Sequence, residues 1–360
     1  MIGSVILRRV RVHVQVAAFS MSSSASEFKG YTDDKGAYVN RQAATGLVTD
    51  PVPEDVKDWS TESKPTGVLF KNPESTEEWR RFRLTPSQID QYWRDGYLSN
   101  IRVLSEEMCD KLLEDYKQFL DPDKKHPGHG LFYEFHSNQS GDPENVLMHA
   151  LGHWRITERF HDLVFLPAIS VPASQIIDPS RKEYNIRLWH DQLFAKPPRH
   201  GGVVAWHQDY SYWTRTVPMR HLTVHVALDD QKPENGGLHF IPKSHRWHRD
   251  GMPLPITDDS FKDMESIQRV LTEDEKADFK PTPSNLKKGE ASFHHPLMVH
   301  GSYQNRTNKP RRAAVVNYIG DGVKSDTDTL ILGNTETIKK GLPMTGRFYP
   351  LVYETSFCEC

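Results

Sequence analysis

The sequence predicts a mostly β protein with N-terminal helices and a jelly-roll core, and three observations carry this prediction. Apolar residues occur at helical spacing between residues 85 and about 122. From about residue 184 onward, apolar runs of strand length are separated by turn-forming segments. Many short strands after a helical section are typical of an antiparallel double sheet that closes over its core.

Two helices are predicted at the start of the folded region. The segment TPSQ at 85–88 is a helix start, because threonine caps the first turn, proline suits the first helical position and glutamine completes a capping box. Gly96 is expected to end this helix. A second helix is predicted to begin at Ser105 and to end before Pro122.

The strands follow from the shorter apolar runs. HLTVHVALDD at 221–230 is predicted to form a strand, PENGG a turn, and LHFIP at 238–242 the return strand. ASFHHPLMVHG and RRAAVVNYIG are two more β-rich runs, joined by the turn formers of SYQNRTNKP. Residues 257–280, rich in Asp, Glu and Lys, are predicted to be a helical or loop insertion.

Composition excludes several functional classes. The 360 residues suffice for one large domain with appendages or for two domains. The net charge of −3 lacks the basic footprint of a nucleic-acid-binding protein, and no run approaches the roughly 18 apolar residues of a membrane span. The three cysteines, Cys109, Cys358 and Cys360, are too sparse for a disulfide framework and fit a reducing compartment. The last two are interpreted as part of a frayed tail.

The chain divides into three parts by composition. Residues 1–26 contain no acidic residue and three arginines, as expected of a transit peptide or a disordered leader. Residues 27–83 are predicted to be a polar extension, and residues 84–355 to be the main domain. The terminal sequence CEC is not a peroxisomal signal, so a cytoplasmic or mitochondrial location is expected.

His207 and Asp209 in AWHQDYSYW are the first candidates for a metal site. The spacing alone decides little, since 18 histidines and 48 acidic residues produce such triplets by chance, and His248 with Asp250 forms another. In an extended segment, however, residues i and i+2 point to the same face. The aromatic residues around His207 would surround an ion with an apolar wall. The second triplet lies in a polar stretch that is predicted to be a solvated turn.

A catalytic metal needs a further ligand. The arrangement of two histidines and one carboxylate that holds non-heme Fe(II) leaves open positions for substrates, and His294, His295 and His300 are the candidates. A cosubstrate with a second carboxylate would also need an arginine, whose planar guanidinium binds carboxylate with two hydrogen bonds. Arg311 follows His300 by eleven residues. Arg306 follows His295 by the same spacing.

Strand context distinguishes the two arginines. Arg306 lies in the turn NRTNKP, where its side chain is expected to face water. Arg311 begins the strand RRAAVVNYI and can point inward. On adjacent antiparallel strands, His300 and Arg311 would place the metal and the carboxylate-binding group on one face. We therefore select His300 and Arg311.

In combination, these motifs resemble the phytanoyl-CoA dioxygenase family of Fe(II)/2-oxoglutarate-dependent oxygenases. The resemblance extends over residues 84–352 and is carried, in order, by LTPSQIDQYWRDGYL, DQLFAKPP, WHQDYSYW, ALDDQKPENGGLHFIPKSHRW, HPLMVHGSYQNRTNKPRRA and GRFYPLV. It implies a double-stranded β-helix, a jelly-roll (cupin-like) variant, for residues 84–355. It also implies Fe(II) as the cofactor, with 2-oxoglutarate and O2 as cosubstrates.

The resemblance implies iron binding and a catalytic role for His207, Asp209 and His300. Related halogenating enzymes lack the carboxylate at the position of Asp209, so its presence implies hydroxylation or another oxidation of a small molecule, with release of succinate and CO2.

The resemblance also implies a cosubstrate pocket. Arg311 would bind the distal carboxylate of 2-oxoglutarate, and Ser302 would form a hydrogen bond beside it. Gln192 would help to line the pocket. His225 stands where the family often has a tryptophan near the cosubstrate, which is a departure from the family pattern.

Two other functions remain open on the sequence. A non-oxidative metalloenzyme, such as a zinc hydrolase or isomerase, would use the same three ligands but would leave Arg311 without a task. A catalytically inactive module that binds a small molecule would tolerate the loss of a ligand. Bound Fe(II), and succinate release on addition of 2-oxoglutarate, separate the three.

Overall fold

The computed structural model describes residues 31–32, 38–39, 46–120, 124–257 and 263–358. The predicted leader at 1–26, Pro122 and Cys360 lie outside these residues. The strands in the described part of the chain are β1 (Tyr31–Thr32), β2 (Tyr38–Val39), β3 (Gly46–Leu47), β4 (Tyr97–Arg102), β5 (Glu134–His136), β6 (Met148–Leu151), β7 (Ile186–Lys196), β8 (Val204–His207), β9 (Thr216–Val217), β10 (His221–Ala227), β11 (Leu238–Phe240), β12 (Thr282–Pro283), β13 (Glu290–His294), β14 (His300–Ser302), β15 (Arg311–Gly320), β16 (Lys324–Ser325) and β17 (Leu351–Tyr353).

The helices are short. They are α1 (Thr76–Arg80), α2 (Pro86–Asp95), α3 (Glu106–Phe119), α4 (Glu158–Phe165), α5 (Pro167–Ile176), α6 (Tyr210–Trp213) and α7 (Glu273–Ala277). Among the residues that the structure describes, none of these helices has the length and apolar character that crossing a bilayer requires.

Both predicted helices are confirmed, with their caps. The Thr85 side chain accepts a hydrogen bond from the backbone N–H of Gln88, the capping box is complete, and Gly96 ends α2 in the left-handed conformation. Ser105 caps α3 through the backbone N–H of Met108. The acidic segment predicted as an insertion contains α7 and a short 3-10 helix, Ser266–Arg269.

Two antiparallel sheets form the core, as the strand pattern predicts. The large sheet has the order β3-β5-β6-β7-β15-β10-β13-β4, and β17 also pairs with β7. The small sheet has the order β12-β11-β14-β8. Helices α2 to α5 pack on one face of the large sheet and share its main hydrophobic core. The result is a mostly β, jelly-roll architecture.

Alternate side chains of the large sheet face its two sides, with the hydrophobic core on one side and a cavity on the other. On β10, Leu222 and Val224 belong to the core under the helices, while Thr223 and His225 line a cavity on the opposite face. Strand β15 repeats the pattern, since Val316 packs in the core and Val315 lines the cavity. Successive side chains of a strand point to opposite faces, so the register places the polar residues of both strands together.

Two predictions of strand pairing are wrong. LHFIP does not return beside β10, because β11 pairs with β12 and β14 in the small sheet. His300 and Arg311 are not on adjacent strands either. His300 begins β14 in the small sheet, whereas Arg311 begins β15 in the large sheet. The two residues therefore face each other across the gap between the sheets.

Part of the polar N-terminal extension is anchored to α4. The carboxylate of the fully buried Asp162 accepts hydrogen bonds from the backbone N–H groups of Thr66 at 2.6 Å, Gly67 at 3.1 Å and Leu69 at 2.9 Å. At the other end of the chain, Cys358 is buried in the main core, so the interpretation of a frayed tail is wrong for this residue.

A second junction joins the extension to the C-terminal region. Arg155 donates to Asp58, with Nη2 2.6 Å from Oδ2, and to the carbonyl oxygens of Leu131 and Asn334. The amide of Asn334 in turn donates to the carbonyl oxygen of Val48 at 3.0 Å. Residues 48–58 and the loop around residue 334 are therefore held by one network.

Replacement of Asp162 by alanine should destabilise the protein. The change leaves the backbone N–H of the buried Leu69 without an acceptor, and hydrogen bonds to a charged group contribute about 1.5–3 kcal/mol each. We expect a loss of roughly 2–4 kcal/mol in the free energy of unfolding, measured by urea denaturation. The control is Asp90→Ala, which removes an exposed ion pair with Arg181 and should cost about 0–1 kcal/mol. Equal losses in the two variants would contradict the anchoring role of Asp162.

Candidate metal centre and cosubstrate pocket

Two strands of the small sheet and one short helix bring three potential metal ligands together. His207 ends β8 and His300 begins β14, and these two residues are register partners. Asp209 precedes α6 directly. One ligand atom from each of the three side chains can be chosen so that all lie within 4.8 Å of one another.

Asp209 reaches this position by a different route from the one predicted. The sequence argument assumed an extended segment, but Asp209 has φ −58° and ψ −41°, which are helical values. The chain turns after β8 and starts α6, and this turn brings the carboxylate back toward His207. Asp209 Oδ1 lies 3.4 Å from His207 Nε2 and 3.6 Å from His300 Nε2.

Backbone hydrogen bonds orient both imidazoles. Nδ1 of His207 lies 2.7 Å from the carbonyl oxygen of Ala205, and Nδ1 of His300 lies 2.9 Å from that of Met298. A carbonyl only accepts, so each Nδ1 must carry the proton and each Nε2 has a free lone pair. Both lone pairs are on the side of Asp209. This donor set of two imidazole nitrogens and one carboxylate fits a divalent transition metal.

The carboxylate of Asp209 is held on its other side as well. Its Oδ2 accepts from the hydroxyl of Thr223 at 2.6 Å and lies 3.1 Å from His294 Nε2. Burial opposes ionisation of Asp209, but His300, His207 and His294 together hold its pKa well below the usual range. Burial also holds the pKa of His300 well below its usual value. An ionised carboxylate and a neutral imidazole are the protonation states in which these groups bind a metal.

A cavity of about 410 Å³ opens from this cluster between the two sheets. All seven site residues predicted from the sequence line it: His207, Asp209, His300, Arg311, Ser302, Gln192 and His225. The volume is at the lower end of the range of about 300–1,000 Å³ for small-molecule sites.

Arg311 provides a buried positive charge in the cavity. Its Nε donates to the carbonyl oxygen of Gly236 at 2.9 Å, and its Nη2 donates to Ser302 Oγ at 3.3 Å. Within the described part of the chain it has no carboxylate at ion-pair distance. Burial lowers the pKa of Arg311 to about 10, so the guanidinium stays charged at neutral pH. An incoming carboxylate would supply the missing negative charge.

Lys196 supports Ser302 from behind. Its Nζ donates to Ser302 Oγ at 2.6 Å and to the carbonyl oxygen of Tyr303 at 2.6 Å. With Arg311 donating as well, both lone pairs of the Ser302 hydroxyl are engaged. The hydroxyl proton is then available for an acceptor in the cavity, which is what a carboxylate oxygen provides.

Gln192 and His225 each have a partner in the protein. Gln192 Oε1 lies 2.9 Å from His149 Nε2, and His225 Nε2 lies 3.0 Å from Gln231 Oε1. Burial lowers the pKa of His225 to about 3, so this residue contributes a neutral ring. Both side chains line the cavity, and neither provides a charge to it.

The rejected candidates lie elsewhere. The ring of His295 packs near Trp93 and His245, away from the ligand cluster. Arg306 is exposed and donates to backbone oxygens of Glu144 and Arg199. The segment of the second His-x-Asp triplet is a turn, since Asp250 has a positive φ of 54° and is exposed.

Several functional side chains were missed by sequence reasoning. Thr223 stands beside His225 in the run HLTVHVALDD, where a polar residue at every second position was a usable signal for the cavity-facing side. His294 was considered only as a direct ligand. Lys196 had no signal beyond its place in DQLFAKPP, because its role depends on contacts with a distant strand.

Known proteins resemble this chain in sequence. The family model of the phytanoyl-CoA dioxygenases matches residues 92–313. A probable alpha-ketoglutarate-dependent hypophosphite dioxygenase of Stutzerimonas stutzeri is 27% identical over 270 residues, which cover 70% of this chain and 87% of that protein.

Solved structures share the fold. The alpha-ketoglutarate-dependent carbocyclase SnoK from nogalamycin biosynthesis superimposes with a TM-score of 0.61 at 19% identity, covering 79% of this chain and 100% of its own. The epimerase SnoN, crystallised with Fe3+, alpha-ketoglutarate and nogalamycin RO, gives a TM-score of 0.57 at 21% identity, covering 74% of this chain and 98% of its own. At these identities the likeness shows the fold alone.

The geometry predicts how metal affinity depends on individual histidines. His300→Ala removes one of three ligands and should lower the affinity for Fe(II) by roughly 100-fold or more, since each shift of about 1.4 kcal/mol is tenfold in affinity. His295→Ala is the control, because it removes a neighbouring histidine that is outside the cluster. Anaerobic equilibrium dialysis measures both. If His295→Ala lost iron binding and His300→Ala retained it, the third metal ligand would be His295 and not His300.

Proposed function

The chain belongs to the phytanoyl-CoA dioxygenase family, and from this premise we propose that it hydroxylates a C–H bond of a small molecule. Its relatives include alpha-ketoglutarate-dependent dioxygenases, and its cofactor and cosubstrates are Fe(II), 2-oxoglutarate and O2. The observation that supports the proposal is a cluster of two histidines and a carboxylate that shares one cavity with a buried arginine, for which the described residues provide no carboxylate partner.

Each residue has a defined task in this function. His207, Asp209 and His300 would hold the iron on one side and leave its other side open to the cavity. Arg311 and Ser302 would bind the distal carboxylate of 2-oxoglutarate. When bound, Fe(II) supplies the oxidising chemistry, in which O2 and 2-oxoglutarate are converted to succinate and CO2 as the substrate C–H bond is oxidised.

The protein contributes orientation and the exclusion of water. Thr223 and His294 fix the Asp209 carboxylate, so that the ligand geometry is set before the metal binds. Trp189, Trp213 and Leu332 line the rest of the cavity. These side chains keep the oxidising centre dry, and water is thereby kept from competing with the substrate.

Oxygenase activity should appear on reconstitution of the purified protein. With Fe(II), 2-oxoglutarate and air, we expect succinate to form above the level of a sample that contains Zn2+ instead. Screening small molecules by mass spectrometry should then find a product heavier by one oxygen atom. A non-oxidative metalloenzyme or an inactive module would form no succinate with either metal. Succinate accompanied by a dehydrogenated or cyclised product would keep the oxygenase and reject hydroxylation.

The cosubstrate should depend on Arg311 and not on Arg306. Arg311→Ala should raise the half-saturating concentration of 2-oxoglutarate by roughly tenfold or more, because charge-assisted hydrogen bonds contribute about 1.5–3 kcal/mol each. Arg306→Ala should leave it nearly unchanged, since exposed charged contacts are worth about 0–1 kcal/mol. Succinate formation measured against 2-oxoglutarate concentration tests both variants. The reverse result would assign the cosubstrate to Arg306.

A further inference from the structure

One part of the cavity wall has a carboxylate that the cosubstrate does not use. Glu134 on β5 lines the cavity, and its side chain is 42% exposed. Its nearest charged or titratable partner is His136, whose Nε2 lies 3.6 Å from Glu134 Oε2. This contact lowers the pKa of Glu134, so the carboxylate is ionised at neutral pH. Among the described residues, no lysine or arginine forms an ion pair with it.

The sheet register places Glu134 away from the path of 2-oxoglutarate. Glu134 pairs with Leu151, which pairs with Gln192, so two strand spacings, roughly 10 Å, separate Glu134 from Gln192 across the sheet. Arg311 instead lies along the strand direction, four residues from Val315, the partner of Gln192 on β15. A 2-oxoglutarate bound by Arg311 and the metal would extend along the strands, and Glu134 would then lie to one side of it in the same cavity.

Two further polar atoms of residues that line the cavity lack a partner in the described part of the protein. Gln139 Oε1 is buried and accepts no hydrogen bond in the described part of the protein, and Trp189 Nε1 is buried and donates none. Both residues line the cavity. Buried polar groups are almost always satisfied, by protein, water or ligand. The cavity wall therefore offers a ligand one neutral acceptor, Gln139 Oε1, one donor, Trp189 Nε1, and the negative charge of Glu134.

The surroundings of these acceptors are apolar and aromatic. Trp189, Trp213, Leu151 and Leu332 line the cavity. Tryptophan rings attract cations through their π faces, by about 0.5–2 kcal/mol. An aliphatic body with a cationic end matches such a wall, whereas an anionic end would meet the Glu134 carboxylate.

Arg215 is a second cation of the cavity wall, besides Arg311, and it could favour an anion instead. It lines the cavity, but its Nη1 and Nη2 donate to the carbonyl oxygens of Leu330 and Ile331 at 2.8 and 3.1 Å. These hydrogen bonds hold the loop that contributes Leu332, so two N–H groups of the guanidinium are already used within the protein.

We propose that the substrate is a small ammonium compound with an apolar body, and that Glu134 binds its ammonium group through a salt bridge. This inference rests on the proposed oxygenase function, which places the reacting C–H bond at the other end of the substrate, beside His207 and His300. The volume of about 410 Å³, shared with 2-oxoglutarate, limits the substrate to a small molecule.

The test compares three probes that share a six-carbon chain: hexylamine, 1-hexanol and hexanoate. Isothermal titration calorimetry is done under anaerobic conditions on the full chain loaded with Fe(II) and 2-oxoglutarate, so that binding is measured without turnover. We expect hexylamine to bind at least tenfold more tightly than hexanoate. Glu134→Gln keeps the shape of the side chain and removes its charge, and it should reduce hexylamine affinity at least fivefold while leaving hexanoate binding equal or stronger.

Glu144→Gln is the matched control, because Glu144 is a second glutamate beside a histidine, His200, and is not part of the cavity wall. It should leave all three affinities unchanged. Hexanoate binding as tightly as hexylamine, or an effect of Glu134→Gln below twofold, would overturn the proposal. Succinate formation by the wild-type protein is measured on the same preparation. Succinate without amine preference rejects the ammonium site alone, and absence of succinate rejects the oxygenase function instead.

Discussion

The structure depends on strands that are buried on both faces, one face against apolar helices and the other against a polar cavity. On β10 and β15 every residue is buried, yet alternate side chains face an apolar helical layer and a polar cavity. A strand with such a pattern can pair in only one register, because a shift by one residue would bury Thr223 and His225 against the helices and turn Leu222 and Val224 toward the cavity. The same constraint that positions the core therefore positions the site.

Charged groups in the cavity lack counter-charges within the described part of the protein, and bound ligands would provide them. Arg311 is buried without a carboxylate partner among the described residues, and Asp209 is buried among histidines. Burying charges in this way costs stability, since desolvation is not fully offset by the contacts within the protein. A divalent cation at Asp209 and a dicarboxylate at Arg311 would supply the missing counter-charges. The hydrogen bonds from Thr223 to Asp209 and from Arg311 to the carbonyl oxygen of Gly236 hold these two groups in place beforehand, so little reorganisation accompanies binding.

Sequence reasoning succeeded where the signal was local. The caps of α2 and α3 and the choice of residues for the cavity follow from spacing, turn chemistry and family motifs. It failed where long-range pairing decides: the LHFIP segment crosses to the small sheet, and Arg311 faces His300 across the gap, which no pattern within either segment could show. Asp209 lies in the right place for a reason that the extended-strand argument did not contain, because the chain turns into α6 directly after β8.

The loop of Ile331 and Leu332 lies beyond residue 313, outside the segment that the family model matches, yet it forms part of the cavity wall. It is tied by Asn334 to residues 48–58, which precede that segment. The metal ligands and Arg311 all lie inside it. Part of the cavity wall is thus contributed from outside the stretch of the chain that holds the metal ligands. Substitutions in this loop, or in residues 48–58 that hold it, would reshape the cavity wall without touching the metal ligands or Arg311.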